Sequence, residues 1–116
     1  MSSMSQLENL RYAEIRGKIL SILAEDYTSR MTSIGTLVGA LDLRGFSLSE
    51  EKLAFHLTYL EDSGYVRVWR TRDMPNFRGD RGSGDGSPDN IRFVKLMPAG
   101  LQLLDADRPA DPKVRF

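Results

Sequence analysis

The sequence predicts an α+β domain in which three helices precede a two-stranded antiparallel hairpin and one short helix. Apolar residues recur at helical spacing in three segments of the first half of the chain. The period changes to a two-residue alternation after Gly64, and a second apolar segment follows a long glycine-rich stretch. One domain is expected for 116 residues, because a chain of this length can bury a core without disulfides.

The third helix and the strand after it are the best-defined segment. Ser49 is suited to cap the helix, and Glu50 and Glu51 place negative charge beside the positive end of the helix dipole. Gly64 supplies the left-handed residue that ends a helix, and residues 65–72 then alternate as in a strand. The apolar stripe of the helix consists of Leu53, Leu57 and Leu60.

Two helices are predicted before this segment. The first follows a polar, disordered N-terminus (residues 1–6) and ends near Tyr27, and Gly17 within it marks a close packing contact. Its apolar stripe is Leu7, Leu10, Ile15, Ile19, Ile22 and Leu23. Residues 28–32 form a polar connection able to pair briefly with the later strands. Thr32 or Ser33 then caps the second helix, whose stripe is Ile34, Leu37, Val38 and Leu41.

Glycines also shape the second helix and the hairpin. Gly35 and Gly39 are four residues apart, which suits close approach by another helix, and Gly45 stops the second helix. Residues 73–90 are too rich in glycine and proline to form core, so we expect a long loop whose residues 78–90 are mobile and cut first by proteases.

A second strand and a short helix complete the predicted domain, which spans residues 7–106. The apolar residues of the strand, able to pair with residues 65–72, are Ile91, Phe93, Val94 and Leu96. Pro98 fits the first turn of a short helix with Leu101, Leu103 and Leu104. Residues 107–116, with two prolines and alternating charges, are predicted to be a flexible tail.

Residues 56–68, HLTYLEDSGYVRV, resemble the recognition helix, glycine turn and first wing strand of winged-helix regulators such as the arsenical-resistance repressors. With its flanking segments the resemblance covers residues 7–105. It implies a winged helix: a three-helix core, a two-stranded wing with a long glycine-rich loop, and a short C-terminal helix. It also implies DNA binding, transcription regulation and a homodimer formed by the first or the last helix.

The charge distribution and the scarcity of cysteine and histidine limit the functions that the chain can have. The 16 basic and 16 acidic side chains balance, but residues 65–97 hold seven Lys or Arg against four Asp or Glu. The chain has no cysteine and one histidine, His56, for which we expect a structural or solvent-facing role. The acids of the loop lack the spacing of a calcium site, so we expect no metal. The glycine-rich loop lacks the ending of a phosphate-binding loop, so we expect no cofactor. No serine or threonine lies in a recognisable nucleophile motif, so we expect no catalytic site. We expect a soluble cytoplasmic protein, because no apolar run is long enough to span a membrane.

The predicted wing is the candidate nucleic-acid-binding element. Arginines with interleaved aromatic rings suit contact with the phosphate backbone, insertion into a groove or stacking on bases. The alternative is an ordinary solvated hairpin whose arginines balance nearby acids. The candidate residues are Arg67, Trp69, Arg70, Arg72, Arg78, Arg81, Arg92 and Lys95.

The exposed face of the third helix favours a different function. This face is predicted to hold Glu51, Phe55, Thr58 and Asp62, with Lys52 and Tyr59 on its flank. Because carboxylates repel phosphates, such a helix departs from the basic character expected of DNA readers. Phe55 and Tyr59 suit a protein partner or self-association instead, unless the first or last helix covers them. The second hypothesis is therefore an interaction adaptor or assembly component, including one encoded by a phage.

Overall fold

A computed structural model describes residues 3–25, 31–74 and 88–116 of the chain. Its architecture is α+β, with four helices and a small antiparallel sheet among the described residues. The helices are α1 (Ser3–Glu25), α2 (Ile34–Leu43), α3 (Glu50–Asp62) and α4 (Pro98–Leu104). The strands are β1 (Thr32–Ser33), β2 (Val66–Arg70) and β3 (Ile91–Leu96), and a 3-10 turn, Thr71–Asp73, follows β2.

The predicted helix boundaries of α2 and α3 are confirmed by their caps. The hydroxyl of Ser33 accepts a hydrogen bond from the amide of Thr36 at 3.2 Å, and that of Ser49 accepts one from Lys52 at 3.2 Å. Each helix is followed by a glycine with positive φ, +86° at Gly45 and +80° at Gly64. That conformation is costly for residues with a Cβ, so both helices end where the sequence predicts.

The core lies between the three long helices and one side of the sheet. The apolar stripes predicted for α1, α2 and α3 supply most of it, since their central residues are almost fully buried. The strands add the residues that alternate toward the helices, and α4 adds Leu103. The completely buried leucines of α2 and α3 are Leu37, Leu41, Leu53, Leu57 and Leu60.

The sheet has a third strand beside the two predicted for the hairpin. Its order is β1-β3-β2 and both pairings are antiparallel. In β1, Thr32 pairs with Val94 and Ser33 with Phe93, so the polar connection before α2 does pair briefly with a later strand. The register of β2 with β3 shifts between Trp69 and Arg70, which places a bulge where β2 ends and β3 begins.

The structure differs from the sequence-based expectations for the helices in two places. Helix α1 begins at Ser3 and so includes part of the segment predicted to be a disordered N-terminus. Gly35 and Gly39 do not pack against another helix: a Cβ built on either meets no atom within 4 Å. The two glycines share a helix face, but α2 packs through the other face, with Leu37 and Leu41. Tyr27, the predicted end of the first helix, lies outside the described residues.

Part of the C-terminal segment, residues 107–116, for which the sequence predicts a flexible tail, lies against α1. Val114 is buried, and the amide of Arg115 donates a hydrogen bond to the carbonyl of Ala13 in α1 at 2.9 Å. A Cβ on Gly17 would lie 2.0 Å from the carbonyl oxygen of Arg115. Gly17 therefore does mark a close contact, but with the C-terminal segment. Among the described helices, none has the length and apolar character needed to cross a membrane.

Candidate nucleic-acid interface

The hairpin of β2 and β3 has one side in the core and one side away from it. Strand alternation turns Val66, Val68, Val94 and Leu96 inward, and all four are buried. The residues between them lie on the opposite side, which we call the outer face. The outer face consists of Arg67, Trp69, Phe93 and Lys95.

The outer face is built from two cross-strand pairs. Arg67 lies directly opposite Lys95, and Trp69 directly opposite Phe93. Arg67 and Lys95 are exposed, while the two aromatic residues are half-buried. The guanidinium carbon of Arg67 lies 4.7 Å from the centroid of the Trp69 ring, a cation–π contact. Three of the predicted binding residues, Arg67, Trp69 and Lys95, therefore come together on one surface.

Arg70 is not part of this surface. Its guanidinium makes two hydrogen bonds to the carboxylate of Glu61 in α3, at 3.0 and 2.7 Å. This bidentate ion pair lowers the pKa of Glu61, mainly through the hydrogen bonding from Arg70. The ion pair thus joins the hairpin to α3, and the carboxylate of Glu61 neutralises the charge of Arg70.

Of the remaining predicted arginines, Arg72 is also paired, since it contacts the carboxylate of Asp89 across the base of the loop. Both of these side chains are exposed. Arg92 is exposed and lies at the register shift of β3. Arg78 and Arg81, like the rest of residues 75–87, lie outside the described residues.

The outward face of α3 is the one predicted. All four of its residues are exposed, and so is Lys52 beside them. Phe55 has 57% of its surface accessible, while the Thr58 hydroxyl donates back to the carbonyl of Ala54 at 2.8 Å. The acidic side chains make this face repulsive to phosphate. The outward residues are Glu51, Phe55, Thr58 and Asp62.

Tyr59 does not join Phe55 on that face. Its hydroxyl donates to a carboxylate oxygen of Asp111 at 3.1 Å, and the guanidinium of Arg16 lies 4.1 Å from the centroid of its ring. Tyr59 is therefore half-buried, and it is covered by Asp111 of the C-terminal segment together with Arg16 of α1. Phe55 remains as the single exposed aromatic residue of the predicted pair.

A groove of about 930 Å³ separates α3 from the hairpin. Its walls come from the start of α2, from α3 as far as Thr58 and from the end of the hairpin that leads into the loop. Three acids, Glu50, Glu51 and Asp89, and two arginines, Arg70 and Arg92, line it. Since Arg70 is held by Glu61, the groove offers little positive charge to a phosphate.

A buried polar cluster, which sequence reasoning missed, lies under the C-terminal segment. Arg16 is only 7% exposed, and its Nε donates to Nδ1 of His56 at 3.2 Å. Burial, together with the charge of Arg16, lowers the pKa of His56 to about 4. His56 is therefore a neutral acceptor in the core, so of the two roles expected for it, structural or solvent-facing, the structure shows the structural one.

Asp111 completes this cluster from the C-terminal segment. It accepts hydrogen bonds from the hydroxyls of Tyr59 and Tyr65 and from the amide of Lys113. Burial raises the pKa of Asp111, but these hydrogen bonds outweigh it and leave the pKa lowered. Burial and the neighbouring Asp111 raise the pKa of Tyr65 to about 12. The cluster is a set of satisfied hydrogen bonds that holds the C-terminal segment on the domain.

Comparison of the chain with models of protein families, with curated proteins and with solved structures finds no match.

Proposed function

We propose that the protein is a cytoplasmic winged-helix protein that binds nucleic acid, as a small DNA-binding transcription regulator, and that the β2–β3 hairpin makes most of the contact. The order of the elements and the small antiparallel sheet are compatible with this fold. The observation that supports the function best is the outer face, where Arg67 and Lys95 lie side by side next to Trp69.

The charges of the described surface favour the hairpin over α3 as the binding element. Phosphates are attracted to Lys and Arg side chains that have no counter-charge, and binding releases the counterions of the nucleic acid. Among the described ion pairs, none includes Arg67 or Lys95, whereas Arg70 and Arg72 are paired with carboxylates. An α3 helix laid into a groove would bring Glu51 and Asp62 toward the backbone, which weakens binding.

The proposal is tested by titrating the protein into a labelled non-specific duplex at about 50 mM salt, where charge-driven binding is strong. We expect binding, and we expect the double variant Arg67→Gln/Lys95→Gln to bind about tenfold or more weakly, because two cations are removed. Lys52→Gln is the matched control, since it removes an exposed cation from α3 and should change affinity little.

Two results would count against this function. Absence of binding to any nucleic acid at low salt would exclude it. An affinity reduced by Lys52→Gln as much as by the change of Arg67 and Lys95 together would locate the contact on α3 instead of the hairpin.

The second candidate is a protein-interaction function for the α3 face. The observation that favours it is Phe55, a large ring exposed on an acidic surface. Aromatic anchors of this kind contribute much of the energy of protein interfaces. A partner would bury Phe55 and place basic or apolar groups against Glu51 and Asp62.

This candidate is tested with Phe55→Ser in an assay of self-association and partner binding. Leu43→Ser is the matched control, because Leu43 is 87% exposed and lies at the end of a different helix. Loss of a complex with Phe55→Ser alone would support the α3 interface. Equal behaviour of both variants would mean that Phe55 is an ordinary exposed residue.

A further inference from the structure

Arg67 and Lys95 form an unusual pair for an antiparallel hairpin. Like charges directly opposite each other on neighbouring strands repel and destabilise the sheet. Within the described ranges, three ion pairs are found, Arg44–Glu25, Arg70–Glu61 and Arg72–Asp89, and neither Arg67 nor Lys95 belongs to one. An anion bound between the two side chains would relieve their repulsion.

The second cross-strand pair of the outer face, Trp69 and Phe93, offers aromatic rings for stacking. Trp69 and Phe93 lie next to the two cations on the same face, and both keep part of their surface accessible. The Arg67 guanidinium over the Trp69 ring adds a second flat group at 4.7 Å. Aromatic rings and guanidinium planes are the groups on which exposed bases stack.

Stacking of this kind distinguishes single strands from duplexes. In a duplex the base faces are covered by their neighbours, so only an unpaired base can stack on a side chain. A duplex broad enough to contact both the hairpin and α3 would also meet Glu51 and Asp62 on the outward side of that helix. A single strand that follows the outer face avoids these acids, because α3 packs against the other side of the hairpin.

We infer that the outer face is a site for single-stranded nucleic acid, in which Arg67 and Lys95 hold a phosphate and an unpaired base stacks beside Trp69. This inference rests on the proposed function and narrows its ligand. Because the same chemistry occurs in single-stranded DNA and RNA, the two sources must be separated by experiment.

The protein provides its own probe for this site, since Trp69 is its single tryptophan. Full-length protein is titrated at about 50 mM salt with oligothymidylate of about 16 nucleotides, the upper end of known single-strand site sizes. Oligouridylate and a thymidine–adenine duplex of the same length form the other arms. We expect the single strand to quench Trp69 emission and to bind about tenfold more tightly than the duplex, the effect of one stacked base.

Three variants locate the site. Lys95→Gln and Arg67→Gln should each weaken single-strand binding several-fold, since each removes a cation that holds a phosphate. Lys52→Gln should not. Both outer-face side chains are exposed and each substitution removes a charge that faces a like charge, so unfolding midpoints equal to or slightly above that of the unsubstituted protein are expected and serve as the folding check.

The outcomes separate the inference from the proposed function. Tight duplex binding with weak single-strand binding, or single-strand binding without a change in Trp69 emission, would overturn the inference and leave the proposed function standing. Failure of all three nucleic acids to bind would overturn both. Tighter binding of oligouridylate than of oligothymidylate would support the site and identify RNA as its ligand.

Discussion

The Nε of Arg16 in α1 donates a hydrogen bond to Nδ1 of His56 in α3 at 3.2 Å, and both side chains are buried. Burial of the imidazole and, after it, the permanent positive charge of Arg16 lower the pKa of His56, so the imidazole stays neutral at ordinary pH. The Arg16 guanidinium also lies 4.1 Å from the centroid of the Tyr59 ring, a cation–π contact, and donates a hydrogen bond to the carbonyl of Lys113 at 3.4 Å. The contact joins two helices and the C-terminal segment.

The first prediction concerns pH. Burial and Arg16 lower the folded-state pKa of His56 from 6.5 to about 4, so the unfolded chain takes up a proton first as the pH falls. The contribution of His56 to stability is therefore complete above pH 6.5 and is lost between that pH and about pH 4. The slope should approach about 1.4 kcal/mol per pH unit within this window. Urea unfolding at a series of pH values measures it.

His56→Gln provides the control for this prediction, because glutamine can accept the Arg16 hydrogen bond but does not titrate in this range. The variant should retain only the pH dependence that carboxylates contribute. Profiles of the variant and of the unsubstituted protein that run parallel from about pH 7 to pH 4 would show that His56 does not control acid stability.

The second prediction uses two glycines with opposite surroundings. Gly17→Ala should destabilise the fold by about 1–3 kcal/mol, because the new Cβ would lie 2.0 Å from a backbone oxygen of Arg115. Gly39→Ala should stabilise it by up to about 1 kcal/mol, since its Cβ meets nothing within 4 Å and alanine favours a helix. Thermal unfolding compares the two variants.

A chain shortened to end at Ala110 checks the cause. Without the C-terminal segment, Gly17→Ala should no longer be destabilising and should resemble Gly39→Ala. A penalty that persists in the shortened chain would place the clash elsewhere in α1.

The third prediction separates the two sides of α3. Leu57 is completely buried, so Leu57→Ala should cost about 2–5 kcal/mol of unfolding free energy. Thr58 is exposed and its hydroxyl bonds within its own helix, so Thr58→Ala should cost about 0.5 kcal/mol or less, the range of surface changes. Small and equal losses of stability for both variants would mean that α3 presents a different side to the core.

The local parts of the fold could be predicted from the sequence. Ser33, Ser49, Gly45 and Gly64 act through hydrogen bonds and backbone angles within a few residues of themselves, so their sequence context is enough. The C-terminal segment could not be predicted in this way. Its contacts join residues far apart in sequence, as Arg115 with Ala13, and no periodic pattern marks them.

The candidate site could be predicted in composition but not in arrangement. The alternation of β2 does indicate that Arg67 and Trp69 share one side while Arg70 lies on the other. The partner of Arg70 could not be inferred, because Glu61 lies in a different element. Arg16 gave a weaker signal: it is a charged residue inside a helix stripe next to Ile15 and Ile19, which is typical of a buried, paired arginine.

The fourth prediction assigns different roles to two arginines three residues apart. Arg67→Gln should leave the unfolding midpoint unchanged or slightly raised, because the Arg67 side chain is exposed, forms no ion pair among the described residues and faces the like charge of Lys95. If the hairpin binds nucleic acid by charge, the plot of log affinity against log salt should become flatter by about 0.7 to 0.9, the change expected when one phosphate fewer is neutralised. Fluorescence anisotropy at several salt concentrations measures the slope.

Arg70→Gln should do the reverse. It leaves the partly buried carboxylate of Glu61 without its two hydrogen bonds, so stability should fall by about 1 kcal/mol or more. The salt slope should change little, because Arg70 is already neutralised by Glu61 and releases no additional counterion on binding. The double variant Arg70→Gln/Glu61→Gln should recover part of the stability, since no charge is then left unpaired. A flatter slope for Arg70→Gln than for Arg67→Gln would mean that the ligand breaks the Arg70–Glu61 pair and that binding takes place on the α3 side of the hairpin.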